Sequence, residues 1–191
     1  MKAIFLDRDG VINEEVDFLH KIEDLQFIPG VIESLKKLSV LPEDEYKIVI
    51  VSNQPVLGRG VCTQEEFDSF MKKYFEALEK ESEGIIRIDG FFYCPHHPTK
   101  GVGDYKQDCD CRKPKPGLLL QAKEKFGIDL ANSFMIGDKR SDIKAGQQVG
   151  CFSILVKTGY GGQGGEGDEV TPDMICEDLK EASSFILEKI R

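Results

Sequence analysis

The sequence predicts an α/β protein built on a three-layer, doubly wound, mostly parallel sheet. Two observations predict it. Short apolar, often β-branched runs alternate with stretches in which apolar residues recur every three or four positions. That alternation is the signature of a parallel sheet covered by helices on both faces. Chemistry-bearing residues also follow the apolar runs repeatedly, at the carboxyl edge where open parallel sheets keep their ligands. With 191 residues, 40% hydrophobic and 31% charged, the chain can bury a full core, and we expect one domain over residues 1–191.

The first run, residues 3–6, reads as a strand buried on both faces. It ends in Asp7, Asp9 and Gly10. If the strand continues to Asp9, both carboxylates point the same way. Unpaired, they would repel, so a cation is expected beside them. As an isolated motif, an acidic turn fits equally well. Residues 11–29 have no clean period and mix acids with Phe18, His20 and Phe27. They form either a flap over the strand's carboxyl end or a plain connection.

Pro29-Gly30 opens a helix whose buried face is Val31, Leu35 and Leu38. Residues 47–51 form a second buried strand, ending in Ser52-Asn53-Gln54-Pro55. The hydroxyl and amide there suit phosphate oxygens, although capping a turn is their commoner use. Thr63 to Glu66 is a capping box for a helix to about residue 82, with a core stripe of Phe67, Phe70, Met71, Tyr74 and Leu78. Residues 88–93 are a third strand.

Then follow Cys94, His96, His97, Cys109 and Cys111. Cys94, His96, Cys109 and Cys111 form two ligand pairs, with His97 as an alternative to His96. Thiolate and imidazole donors at this spacing suit zinc, and four protein ligands make it structural. Free thiols in a loop are the alternative. The turn Arg112-Lys113-Pro114-Lys115-Pro116 is the most basic spot in the chain. It reads as an anion clamp or as a solvated basic turn. It leads into a helix bearing Leu118, Leu119, Ala122 and Phe126, which Gly127 stops.

Residues 133–136 form a fourth strand, followed by Gly137, Asp138, Lys139 and Asp142. Asp142 either joins the acidic cluster or starts the next helix. Residues 152–156 form a fifth strand. Glycine and acid dominate 158–172, which reads as a mobile loop. A short strand at 173–176 and an amphipathic helix over 179–190 close the chain.

Composition bounds the function. A net charge of −9 argues against nucleic acid as a partner and requires a local basic pocket for any anionic substrate. No apolar run approaches the ~20 residues of a membrane span, and no secretory signal pattern stands at the N-terminus. A cytoplasmic monomer without membrane or nucleic-acid partners is expected. Of six cysteines, Cys62, Cys151 and Cys176 are scattered and read as packing or surface thiols.

Asp7-Arg8-Asp9-Gly10-Val11, Ser52-Asn53, Lys113 and Gly137-Asp138 to Asp142 resemble, in order, the four motifs of the haloacid dehalogenase superfamily of phosphohydrolases. The paired-ligand loop followed by Arg-Lys-Pro narrows the resemblance to the D-glycero-D-manno-heptose 1,7-bisphosphate phosphatases and their histidinol-phosphate phosphatase relatives. Two features depart from the pattern: Pro55 after Gln54, and the late glycine-rich loop.

The resemblance implies a Rossmann-like fold without a large cap domain, carrying a zinc-binding loop at 94–111. It implies that Asp7 attacks phosphorus and that Asp9 protonates the leaving sugar oxygen, then activates water. Asp7, Asp138 and the Asp9 carbonyl would hold magnesium, with Asp142 in support. Ser52, Asn53 and Lys113 would stabilise the phosphoryl group. Arg112 would grip a second phosphate or a sugar hydroxyl. Glu15, Val16, Asp17, Phe18, Gln54, Pro55 and Lys139 would complete the substrate site. The implied reaction is hydrolysis of the 7-phosphate of the heptose bisphosphate, on the way to surface polysaccharide. Histidinol-phosphate hydrolysis and an inactive, zinc-stabilised binding module are the alternatives.

Overall fold

A computed structural model describes residues 1–163 and 170–190. Its centre is a six-stranded sheet in the order β3-β2-β1-β4-β5-β6, with β1 at Lys2–Leu6, β2 at Tyr46–Asn53, β3 at Gly90–Cys94, β4 at Phe134–Gly137, β5 at Phe152–Val156 and β6 at Met174–Cys176. Every pairing is parallel. The helices are α1 (Val31–Ser39), α2 (Pro55–Gly58), α3 (Gln64–Glu81), α4 (Gly117–Phe126), α5 (Arg140–Gln147) and α6 (Leu179–Lys189). None of those described is long and apolar enough to cross a membrane.

The strand pleat explains the three layers. Ile4 and Leu6 face one way and pack with α1, α3 and α6 through Leu35, Leu38, Phe67, Tyr74 and Ile186. Ala3 and Phe5 face the other way and pack with α4 and α5 through Leu118, Leu119, Ala122 and Ala145. A strand covered on both faces needs apolar residues at every position, which is why residues 3–6 show no alternation.

From β1 the chain winds outward to β2 and β3, then returns to lay β4 against β1's other side and continues to β5 and β6. The sheet therefore has its topological switch point between β1 and β4, and a crevice opens at their carboxyl ends.

Several boundaries differ from expectation. The first strand stops at Leu6 rather than reaching Asp9, so an extended backbone is not what aims the two carboxylates. The second strand runs on through Ser52 and Asn53. Pro55 is the first residue of the short helix α2, where its fixed φ fits and its missing N–H costs nothing. The stretch 11–29 is anchored by Val11, Ile12, Leu19 and Ile28, all buried in the core; it is a structural connection whose 15–18 portion also borders the crevice. Asp142 lies in the first turn of α5. The mobile loop expected at 158–172 falls partly on 164–169, outside the described residues. Its first part forms turns that are hydrogen-bonded to the site.

Candidate active site

The switch point gathers residues from four elements. Asp7 follows β1, Ser52 and Asn53 end β2, Lys113 stands before α4, and Asp138 follows β4. Lys113 is the hub, and it is buried. Its Nζ lies 3.0 Å from Asp7 Oδ1 and 2.7 Å from Asp142 Oδ1. It also donates to the Val51 carbonyl at 2.7 Å. Asn53 fixes the lysine's backbone from both sides, donating to its carbonyl at 2.9 Å and accepting its N–H at 3.0 Å. The Asn53 amide is thus committed to holding the basic turn, a use that its position after an apolar run does not reveal.

One atom each of Asp7, Asp138 and Asp142 lies within 4.8 Å of the others, and all three carboxylates are buried. Burial pushes the Asp7 pKa up, but Lys113 and then Lys139 outweigh it and hold the carboxyl below its ordinary value. For Asp138 the balance reverses: burial, then the charges of Asp142 and Asp7, push it up to about 8. Asp138 Oδ1 is buried without a hydrogen-bond partner. A buried, unpartnered carboxylate oxygen beside two other carboxylates fits a divalent cation bound by hard oxygen donors. Both oxygens of Asp142 are engaged, Oδ1 by Lys113 and Oδ2 by the Lys139 N–H at 3.0 Å.

Two glycine turns enclose Asp138. A Cβ on Gly10 would lie 2.2 Å from Asp138 Oδ2, and one on Gly159 would lie 2.3 Å from the same atom and 2.6 Å from Gly10 Cα. Both glycines have positive φ, so neither position suits a side chain. Thr158 Oγ1 donates to the Gly10 carbonyl at 2.6 Å, and the Tyr160 N–H donates to Asp138 Oδ2 at 2.8 Å. The start of the late glycine-rich stretch is therefore part of the site's wall.

Asp9 is less buried and faces the crevice. Its carboxylate accepts from the Arg8 fork at 2.8–3.0 Å, from Asn13 Nδ2 at 2.9 Å and from Gln54 Nε2 at 3.0 Å. The same Gln54 amide donates to Ser52 Oγ at 2.9 Å. Arg8 is 1% exposed, its guanidinium 5.5 Å from the Phe70 ring centre and 5.8 Å from that of Tyr74. Nothing local to residue 8 marks its role; a buried arginine is recognised only once its carboxylate and aromatic neighbours are in view.

The crevice has a volume of about 220 Å³. Glu15, Val16, Asp17 and Phe18 line it, with Asn53, Gln54, Pro55, Arg112 and Lys139; Ser52 and Lys113, assigned to the same substrate site from sequence, are buried and do not line it. Lys139 Nζ meets Glu15 Oε2 at 2.7 Å and lies 4.5 Å from the Tyr160 ring centre. Burial pushes Glu15 up despite that lysine. Arg59 and Tyr160 also line the crevice and were not expected there. A faint signal for Arg59 was its place one helical turn after Pro55.

At the edge of the sheet, Cys94, His96, Cys109 and Cys111 converge. The sulfurs of Cys109 lie 3.4 Å from Cys94 and 3.2 Å from Cys111, and His96 Nδ1 lies 3.4 Å from Cys111 and 3.8 Å from Cys94. A tetrahedron with metal–sulfur bonds of about 2.3 Å has edges of roughly 3.7 Å, so the cluster has the size of a closed metal site. The neighbouring Cys94, with Cys109 and His96, pulls the Cys111 thiol down to about 5, while Cys94 itself is pushed up. His97 does not join: its Nδ1 faces the N–H groups of Thr99 and Lys100.

Comparison with known proteins follows this geometry. The HAD-hydrolase-like family model matches residues 110–182. A D-glycero-beta-D-manno-heptose-1,7-bisphosphate 7-phosphatase of Pasteurella multocida is 41% identical over 190 residues, covering 99% of this chain and 92% of its own. A D-glycero-alpha-D-manno-heptose-1,7-bisphosphate 7-phosphatase of Photorhabdus laumondii is 43% identical, covering 84% of this chain and 85% of its own. Among solved structures, the D,D-heptose 1,7-bisphosphate phosphatase of B. bronchiseptica, complexed with magnesium and phosphate, superposes with a TM-score of 0.81 at 31% identity and 99% coverage of both chains.

Proposed function

Because the chain belongs to the heptose-1,7-bisphosphate 7-phosphatase family of HAD-type hydrolases, we propose that it removes the 7-phosphate of D-glycero-D-manno-heptose 1,7-bisphosphate. The observation that carries this reading is the buried Asp7–Lys113–Asp142 ion chain beside the unpartnered Asp138 oxygen, at the end of a crevice bordered by Arg112 and Lys139.

Asp7 is the nucleophile. Its carboxylate oxygen bonds to phosphorus as the bond to the sugar oxygen breaks, and the Asp9 carboxyl gives its proton to that oxygen. In the second half, Asp9 takes a proton from water as the water oxygen bonds to phosphorus and the Asp7–phosphorus bond breaks. Lys113 offsets the negative charge on the transferring group, and Ser52 donates to it. Arg8, Asn13 and Gln54 orient Asp9 between the two steps. Magnesium, held by Asp7, Asp138 and the Asp9 carbonyl, would offset the repulsion between an anionic nucleophile and an anionic phosphate. Arg112, Lys139 and the 15–18 and 52–55 segments hold the sugar. Zinc at Cys94, His96, Cys109 and Cys111 is structural and pins a polar loop that buries little of its own. The enzyme acts as a cytoplasmic monomer.

Phosphate release with magnesium, from both anomers of the bisphosphate and from histidinol phosphate, tests the substrate. A strong preference for the bisphosphate is expected. A preference for histidinol phosphate would overturn the substrate and keep the chemistry, and failure to form an acid-labile phosphoaspartate with any ester would favour an inactive binding module.

For the loop, freshly purified protein should hold about one zinc per chain, and Cys109→Ser should lower both zinc content and Tm. Metal content far below one per chain would refute the assignment.

A further inference from the structure

A bisphosphate brings two anionic groups into one crevice, and only one of them reaches Asp7. Of the cations lining the crevice, Arg8 is bound to Asp9 and Lys139 to Glu15, while Arg112 donates to the His96 carbonyl at 3.1 Å. The Arg59 side chain makes no ion pair and no hydrogen bond among the described residues; its Nε, like that of Arg112, is buried without a hydrogen-bond partner. Its guanidinium lies 4.9 Å from the Phe18 ring centre. A buried N–H without an acceptor is costly, and an aromatic backing restricts the fork's orientation before any ligand arrives. A guanidinium fork suits the paired oxygens of a phosphate.

The backbone beneath this side chain is fixed. The Arg59 N–H donates to the Pro55 carbonyl at 2.9 Å. The preceding residue accepts at its carbonyl from Val102 of the cysteine–histidine loop at 2.8 Å. A Cβ on Gly58 would lie 2.2 Å from the Pro95 carbonyl oxygen, so only glycine lets the two segments approach this closely. Arg59 is therefore carried on a backbone held against the cysteine–histidine loop.

We propose that Arg59 determines specificity by gripping the phosphate that is not transferred, the one on C1, with Phe18 holding its guanidinium flat. This rests on the bisphosphate reading above. It does not require Arg59 to touch the reacting phosphorus.

The test compares wild type, Arg59→Gln and Arg59→Lys on the 1,7-bisphosphate and on heptose 7-phosphate, which lacks the C1 group. For Arg59→Gln, the loss in kcat/KM on the bisphosphate should exceed that on the monophosphate by about 10- to 100-fold, mainly through KM. Arg59→Lys should recover part of it. Equal losses on the two substrates, or no loss, would overturn the inference while a bisphosphate-preferring wild type upholds the function. A wild type indifferent to the C1 phosphate would overturn both. The wild-type comparison thus separates the two failures.

Discussion

Asp7→Asn should abolish turnover, lowering kcat by about 10⁴-fold or more, in a protein that keeps its fold. The amide oxygen is a poor nucleophile and cannot form the acyl phosphate. The substitution is nearly isosteric, which isolates chemistry from packing. The fold should survive because Lys113 keeps Asp142 at 2.7 Å and the Val51 carbonyl at 2.7 Å. Removing one of three crowded buried carboxylates also lessens their mutual repulsion. Phosphate release, acid-quench trapping of the phosphoenzyme and a thermal melt check all three parts. Near-normal turnover would sink the assignment of Asp7, and a collapsed melt would show that Asp7 is mainly structural.

Lys113→Met should be damaging in a different way. The side chain has similar length but no charge, and it leaves Asp7, Asp138 and Asp142 buried together. Lys139, 4.0 Å from Asp138, is then the nearest cation recorded beside them. Breaking a buried ion network by removing one partner costs about 3–5 kcal/mol, or roughly 6–20 °C of Tm for a chain of this size. Activity should fall by about 10²–10³-fold or more, the usual effect of losing one charge-stabilising donor. Magnesium should raise the Tm of the variant more than that of the wild type, because a divalent cation replaces part of the missing charge. A variant as stable as wild type, with no added response to magnesium, would show that Lys113 is not the hub of the buried charge.

Much of this molecule was legible in its sequence, for a physical reason. Strands buried on both faces must be apolar throughout, so 3–6 and 48–51 stand out. Residues that follow such strands are delivered to one edge by the topology, so the grouping of Asp7, Ser52 and Asp138 is legible in the sequence. The convergence of Cys94, His96, Cys109 and Cys111 was legible because donor chemistry and spacing are local properties.

What escaped is long-range. Asn53 and Lys113 are 60 positions apart, and nothing local shows that an asparagine side chain closes on a lysine backbone. Arg8 stands between two acids in the first motif, yet its burial against Phe70 and Tyr74 brings in residues of α3 more than 60 positions away. The turn at 158–162 carries the composition of a loose loop, but it is fixed by a hydroxyl and by backbone N–H groups, which composition does not report.

The strand order also sets a schedule for synthesis. Asp7 leaves the ribosome before the other residues of the site, on the strand that becomes the middle of the sheet. One flank of that strand is closed by β2 soon afterwards. The other waits for residues 133–137: the Ala3 N–H needs Ser133 Oγ at 2.9 Å and the Asp7 N–H needs the Ile136 carbonyl at 3.0 Å. Asp138 and the turn that encloses it come later still. A nascent chain not yet extended through the turn at 158–160 therefore carries Asp7 on an unfinished edge, with no enclosed acidic cluster around it. The cluster closes only after residues 133–160 have emerged, so appearance of phosphatase activity during translation would time closure of the central strand.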